Sequence, residues 1–152
     1  MVGGNHEAGS KIFSGKTEVS CVRCHQVDGN GGKVGPDLSS VGLIRDRKYL
    51  MEAIVDPNKE IAEGFAQVKV QTDLGEIHVG IVQSESDDLL VLMDADGKLI
   101  EIDQDTIDGR KTGQSSMPDD LIKSLTKKEV RDLVEFLAQR KNPIKTNKTE
   151  HE

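Results

Sequence analysis

Cys21-Val22-Arg23-Cys24-His25 is the stretch on which the reading of this chain turns. Cys-x-x-Cys-His is the spacing at which two thiols add to the vinyl groups of a haem while the next histidine ligates its iron. Two intervening residues let one turn present both sulfurs to one edge of the porphyrin, and His25 then falls beneath the ring. Three other chemistries use part of the pattern. A structural zinc needs four N or S ligands, usually as two close pairs. Beyond Cys21 and Cys24 the chain has only His6, His78 and His151 outside the motif, and they form no second pair at ligand spacing. A redox dithiol wants a strand before the motif and a helix after it, whereas Asp28-Gly29-Asn30-Gly31-Gly32 reads as loop. A plain disulfide leaves His25 unexplained. The favoured reading is a covalent c-type haem, with thioethers at Cys21 and Cys24 and His25 as an axial iron ligand.

The iron then wants a ligand on its other face, and Ser115-Ser116-Met117-Pro118 offers one in a polar, turn-forming setting. Met117 is the candidate sixth ligand. A thioether favours ferrous iron and raises the reduction potential relative to a second imidazole, and Pro118 stiffens the loop. Methionine also fills core gaps. That reading suits Met51, beside Tyr49 and Leu50 on an expected helix, and Met93, at the end of the apolar run from Leu89. His78 is the rival ligand.

Together these motifs resemble class I cytochromes c, and more closely the haem-binding domain found in planctomycete and verrucomicrobial bacteria. The resemblance covers most of residues 5 to 140. It rests on Gly9 and Phe13, Cys21 to His25, Gly35-Pro36-Asp37-Leu38, Ser115-Ser116-Met117-Pro118 and Leu125-Thr126. It implies a mainly α class I cytochrome c fold and a proline carbonyl that accepts a hydrogen bond from the proximal imidazole, a role that falls on Pro36. It also implies that an aromatic residue, here Phe136, crosses the first helix at Gly9.

Local patterns fill in the elements. Asn5 to Phe13 reads as a short helix with Asn5 as N-cap and Gly15 beyond its end. Arg47 to Val55 carries apolar residues at Leu50, Met51, Ile54 and Val55, the helical period, and stops at Asp56-Pro57. Thr126-Lys127-Lys128-Glu129 is a capping box, and Val130, Leu133, Val134, Leu137 and Ala138 form one stripe of a helix running to about Arg140. The segment between the last two helices reads differently. Phe65 to Gln71, Ile77 to Val82, Leu89 to Met93 and Leu99 to Ile102 are strand patterns separated by turns. This predicts a small antiparallel sheet inserted into the helical body, α+β overall. Alternation groups Val68 with Val70, and Ile77 with Val79 and Ile81, predicting one buried side packed on the helices or on a partner. The expected organisation is a single cytochrome c domain over 1–142, with 65–108 as the β-rich insertion, and a polar tail over 143–152.

Of the 152 residues 35% are hydrophobic and 3% aromatic, a modest protein core to which a buried haem would add apolar surface. The formal net charge is −7, and residues 73–108 hold eleven carboxylates against Lys98 alone. Such asymmetry orients a redox partner in diffusion or serves solubility. An acidic chain without an aromatic-interleaved basic patch is not expected to bind nucleic acid, and no apolar run is long enough to span a membrane. Covalent haem is attached outside the cytoplasm, so a periplasmic or otherwise exported protein is expected, its signal or upstream region absent from this sequence.

The first functional expectation is a monohaem module, with one haem c, that transfers single electrons and is not itself an enzyme. The alternative is a haem-based gas sensor or peroxidase-like enzyme with an open distal site. Expected partners are redox proteins, a fused or docked dehydrogenase among them, and a second copy paired through the exposed edges of the insert.

Overall fold

Asn5 opens the first helix, its side-chain oxygen accepting the Ala8 N–H at 2.9 Å, and α1 runs His6–Gly15. The computed structural model describes residues 3–143. A single turn, α2 (Cys21–Cys24), carries the cysteines. The expected loop after it holds a two-residue ladder, β1 (Gln26–Val27) with β2 (Asn30–Gly31), turned through Asp28 and Gly29, both at positive φ. α3 (Val41–Ile44) follows, then α4 (Arg47–Val55), capped by Asp46, which accepts the Tyr49 N–H at 2.8 Å. After the inserted sheet, Thr126 and Glu129 form the reciprocal capping box of α5 (Lys127–Ala138). Each cap satisfies backbone donors that a helix start leaves unpaired.

α1 and α5 cross at Gly9, where an added Cβ would meet the Asp132 backbone carbonyl and lie 2.7 Å from Phe136 Cβ. Phe136 packs beside this contact with its ring centroid 5.5 Å from that of Phe13. Asp132 is buried at the crossing and is paired on both oxygens, Oδ1 accepting the Asn5 N–H at 2.8 Å and Oδ2 the Lys128 ammonium at 2.6 Å. Phe13, Val41, Leu50, Ile54 and the α5 stripe form one core. Beyond α5 the chain returns to α3 and to the turn that follows α2. Arg140 O accepts the Gly42 N–H at 2.9 Å, and Asn142 Nδ2 donates to Asp28 Oδ1 at 2.6 Å.

The insert is a five-stranded antiparallel sheet of order β6-β5-β4-β3-β7. Its strands are β3 (Ala66–Thr72), β4 (Ile77–Glu85), β5 (Leu89–Met93), β6 (Leu99–Asp103) and β7 (Ile107–Ser115). The two edge strands, β6 and β7, are consecutive in the chain and joined only through Gln104–Thr106. In a flat sheet of this order the edges would lie about 19 Å apart, at about 4.8 Å per strand spacing. Asp103 to Ile107 reaches at most about 14 Å even when extended. The sheet is therefore curled, and it wraps a core of its own, Val68, Val70, Leu90, Leu92 and Ile102, which shares no residue with the helical core.

Three expectations are corrected here. The sheet's buried side packs on itself and not on the helical body. Ile77 and Val79 lie outward, 55% and 40% exposed. The register pairs Val70 with His78 and Val68 with Gly80, so on this strand the inward positions belong to His78 and Gly80. Of the three residues grouped by alternation only Ile81 is buried. Finally, the sheet does not end near residue 108: β7 carries it to Ser115 along seven positions paired with β3. This strand has one apolar residue and is exposed along most of its length, as an edge strand can be. The tail read from 143 onward lies, beyond Pro143, outside the described residues.

Candidate functional site

The Cys-x-x-Cys-His motif starts from a left-handed residue. Ser20 has φ 46°, and its hydroxyl donates to Thr17 O at 2.5 Å, turning the chain sharply into α2. The turn closes with the His25 N–H on Cys21 O at 2.9 Å. His25 Nδ1 lies 2.9 Å from Pro36 O. A carbonyl only accepts, so Nδ1 carries the proton and Nε2 keeps its lone pair. Burial lowers the pKa of the ring, against the upward pull of the Pro36 bond, so the imidazole is held neutral. Gly35 lies flat against it: an added Cβ would sit 2.6 Å from His25 Cε1 and 2.7 Å from Nδ1. The Gly35 N–H in turn donates to Cys24 O at 2.7 Å, clasping the loop to the motif.

Cys21 and Cys24 are not bonded to each other. Burial pushes the Cys21 thiol up to about 11, and burial also raises that of Cys24 against the charge of Arg23. Both are therefore protonated thiols at neutral pH. An activated dithiol needs the opposite shift. Among the described residues no group of three or more His, Cys, Asp or Glu is placed to hold a metal ion, so the zinc reading finds no further ligands there.

One cavity is bordered by Cys21, Cys24, His25, Pro36 and Met117. Its walls are mostly apolar, with Phe13 from α1, Leu50 and Ile54 from α4, and Leu133 and Leu137 from α5. Met117 is half-buried and packs against the helical core, its N–H donating to Ser115 Oγ at 3.1 Å. Met51 packs on the same core, and Met93 lies on β5 opposite Ile81 and Leu99. His78 is not among the cavity residues, and its Nε2 is 3.6 Å from Glu76. The sequence reading did not single out Val34, Tyr49, Phe65 or Leu121 as wall residues. Phe65 carried a faint signal, as the residue leading into a strand, and the others none. Two protonated thiols on one turn, an imidazole nitrogen with a free lone pair and apolar walls suit a flat apolar macrocycle with a metal at its centre. They fit a haem.

Residues 6–74 match the protein family described as Cytochrome c. That segment contains α1, the Cys-x-x-Cys-His motif, Pro36, α4 and β3, and it ends before Met117 and α5. No curated protein matches the chain. The match supports a cytochrome c family for the part of the chain that carries His25.

Proposed function

We propose that this protein is a monohaem c-type cytochrome of class I that passes single electrons between redox partners, with thioethers at Cys21 and Cys24 and with His25 and Met117 as axial ligands. The observation that carries the reading is that both thiols, His25 and Met117 border one and the same cavity. When bound, the haem supplies a one-electron ferric/ferrous couple. Cys21 and Cys24 would hold the ring covalently, each S–H adding across a vinyl C=C with hydrogen to one carbon and sulfur to the other. Pro36 O holds the Nδ1 proton of His25, which orients the imidazole and strengthens Nε2 as a donor. Met117 would supply the second iron ligand from the cavity wall, and the apolar walls would keep water away. A site ligated alike in both oxidation states reorganises little. The carboxylates of the insert favour the ferric state wherever they lie near the ring.

Covalent attachment places the protein outside the cytoplasm, and its partners are redox proteins. Among the described residues no helix is long and apolar enough to cross a membrane. The open-site alternative wants a distal acid-base group, and His78, the histidine considered for it, stands outside the cavity. Absorption spectra of the purified protein, oxidised, reduced, and reduced under carbon monoxide, test the reading. A low-spin spectrum with the weak long-wavelength methionine-to-ferric-iron band, unaltered by carbon monoxide, supports it. A high-spin or carbon monoxide-sensitive spectrum replaces it with an open or labile iron site.

A further inference from the structure

Met117 stands just beyond the last pair of the β3–β7 ladder, Ala66 with Ser115. Two hydrogen bonds run from this foot to the segment after α4. Asn58 Oδ1 accepts the Ser115 N–H at 2.9 Å, and Ser115 Oγ accepts the Met117 N–H at 3.1 Å. Asn58 follows Pro57, which is buried and borders the cavity, so its backbone is anchored to the cavity wall while its side chain lies at the surface. The bond joins residues 57 positions apart in sequence. It fixes the strand end from which the methionine loop departs, on the side away from β3.

We propose that Asn58 is a positioning residue for Met117, holding the sulfur on the iron through the relay Asn58–Ser115–Met117. The inference rests on the His25/Met117 reading above. A thioether is a weak ligand that a stronger one displaces when its loop swings away, so the relay acts by suppressing the open form. Each bond removed raises the open population on the scale of one net hydrogen bond, about fivefold.

The test is imidazole titration of the full-length ferric holoprotein, followed at the long-wavelength methionine band. Asn58→Ala is expected to bind imidazole about fivefold more tightly than wild type. Asn58→Asp, which keeps an acceptor at the same place, restores the wild-type affinity. Ser115→Ala shifts affinity the same way, and the double variant Asn58→Ala/Ser115→Ala falls short of the product of the two, because the bonds act in series. Wild-type imidazole affinity in Asn58→Ala overturns the proposal, as does a shift that Asn58→Asp fails to restore. A wild-type protein without the methionine band, or a Met117→Ala variant that retains it, overturns the underlying ligand reading instead.

Discussion

Ala66 and Ser115 face one another at the foot of the β3–β7 ladder, so the chain leaves the helical body and returns to it side by side. With the two cores sharing no residue, residues 67–114 are structurally separable. Replacing them by Asn-Gly, the pair that closes a two-residue hairpin turn, should leave a chain that folds its helices and takes up covalent haem. Circular dichroism and intact mass check this; a chain that forms helices but gains no haem mass would show that the insert is needed for loading.

Leu90 is fully buried within the sheet. Leu90→Ala should cost about 2–5 kcal/mol, the usual range for such a truncation. Hydrogen exchange should localise the loss, with amides of β3 to β7 exchanging faster while those of α1 and α5 keep their protection. Equal loss in both regions would mean that sheet and helices unfold as one unit.

Gly35→Ala would set a methyl group 2.6 Å from His25 Cε1. The ring must move, and the Nδ1 bond to Pro36 O goes with it. The expected outcome is a high-spin or haem-free protein, read directly in the absorption spectrum. Gly15→Ala is the matched control, since an added Cβ there meets nothing within 4 Å.

Glu129 is held at about 2, below its ordinary value of 4.5, chiefly by its hydrogen bond to the Lys16 ammonium and then by the Thr126 backbone. A depressed carboxylate contributes stability that is present above its unfolded value and lost as the pH falls through the folded one. Urea midpoints should therefore drop between about pH 4.5 and pH 2. Glu129→Gln should flatten that drop, and an unchanged acid dependence in this variant would assign it to other carboxylates.

What could be read in the sequence was local. α4 shows itself in an apolar period that stops at Asp56-Pro57, and α5 in a capping box four residues long. The cysteines and His25 are legible because one turn holds all their geometry. β7 escaped because an exposed edge strand needs no apolar alternation, and Ile107 is its lone apolar residue. Ile77 and Val79 misled because a tightly curled strand can fill its inner side with Gly80, where a Cβ would lie 2.9 Å from Met93 C and 3.1 Å from Leu92 Cβ. Asn58 left no trace, since a side chain bonded to a distant backbone N–H creates no pattern around itself.

Arg140 and Asn142 fasten the end of α5 to Gly42 in α3 and to Asp28, and the segment between those two anchors carries the Pro36 carbonyl on which His25 leans. The last helix thus works as a latch on the proximal side of the cavity. The support of the imidazole therefore draws on both ends of the chain, the motif near its start and the close of its last helix.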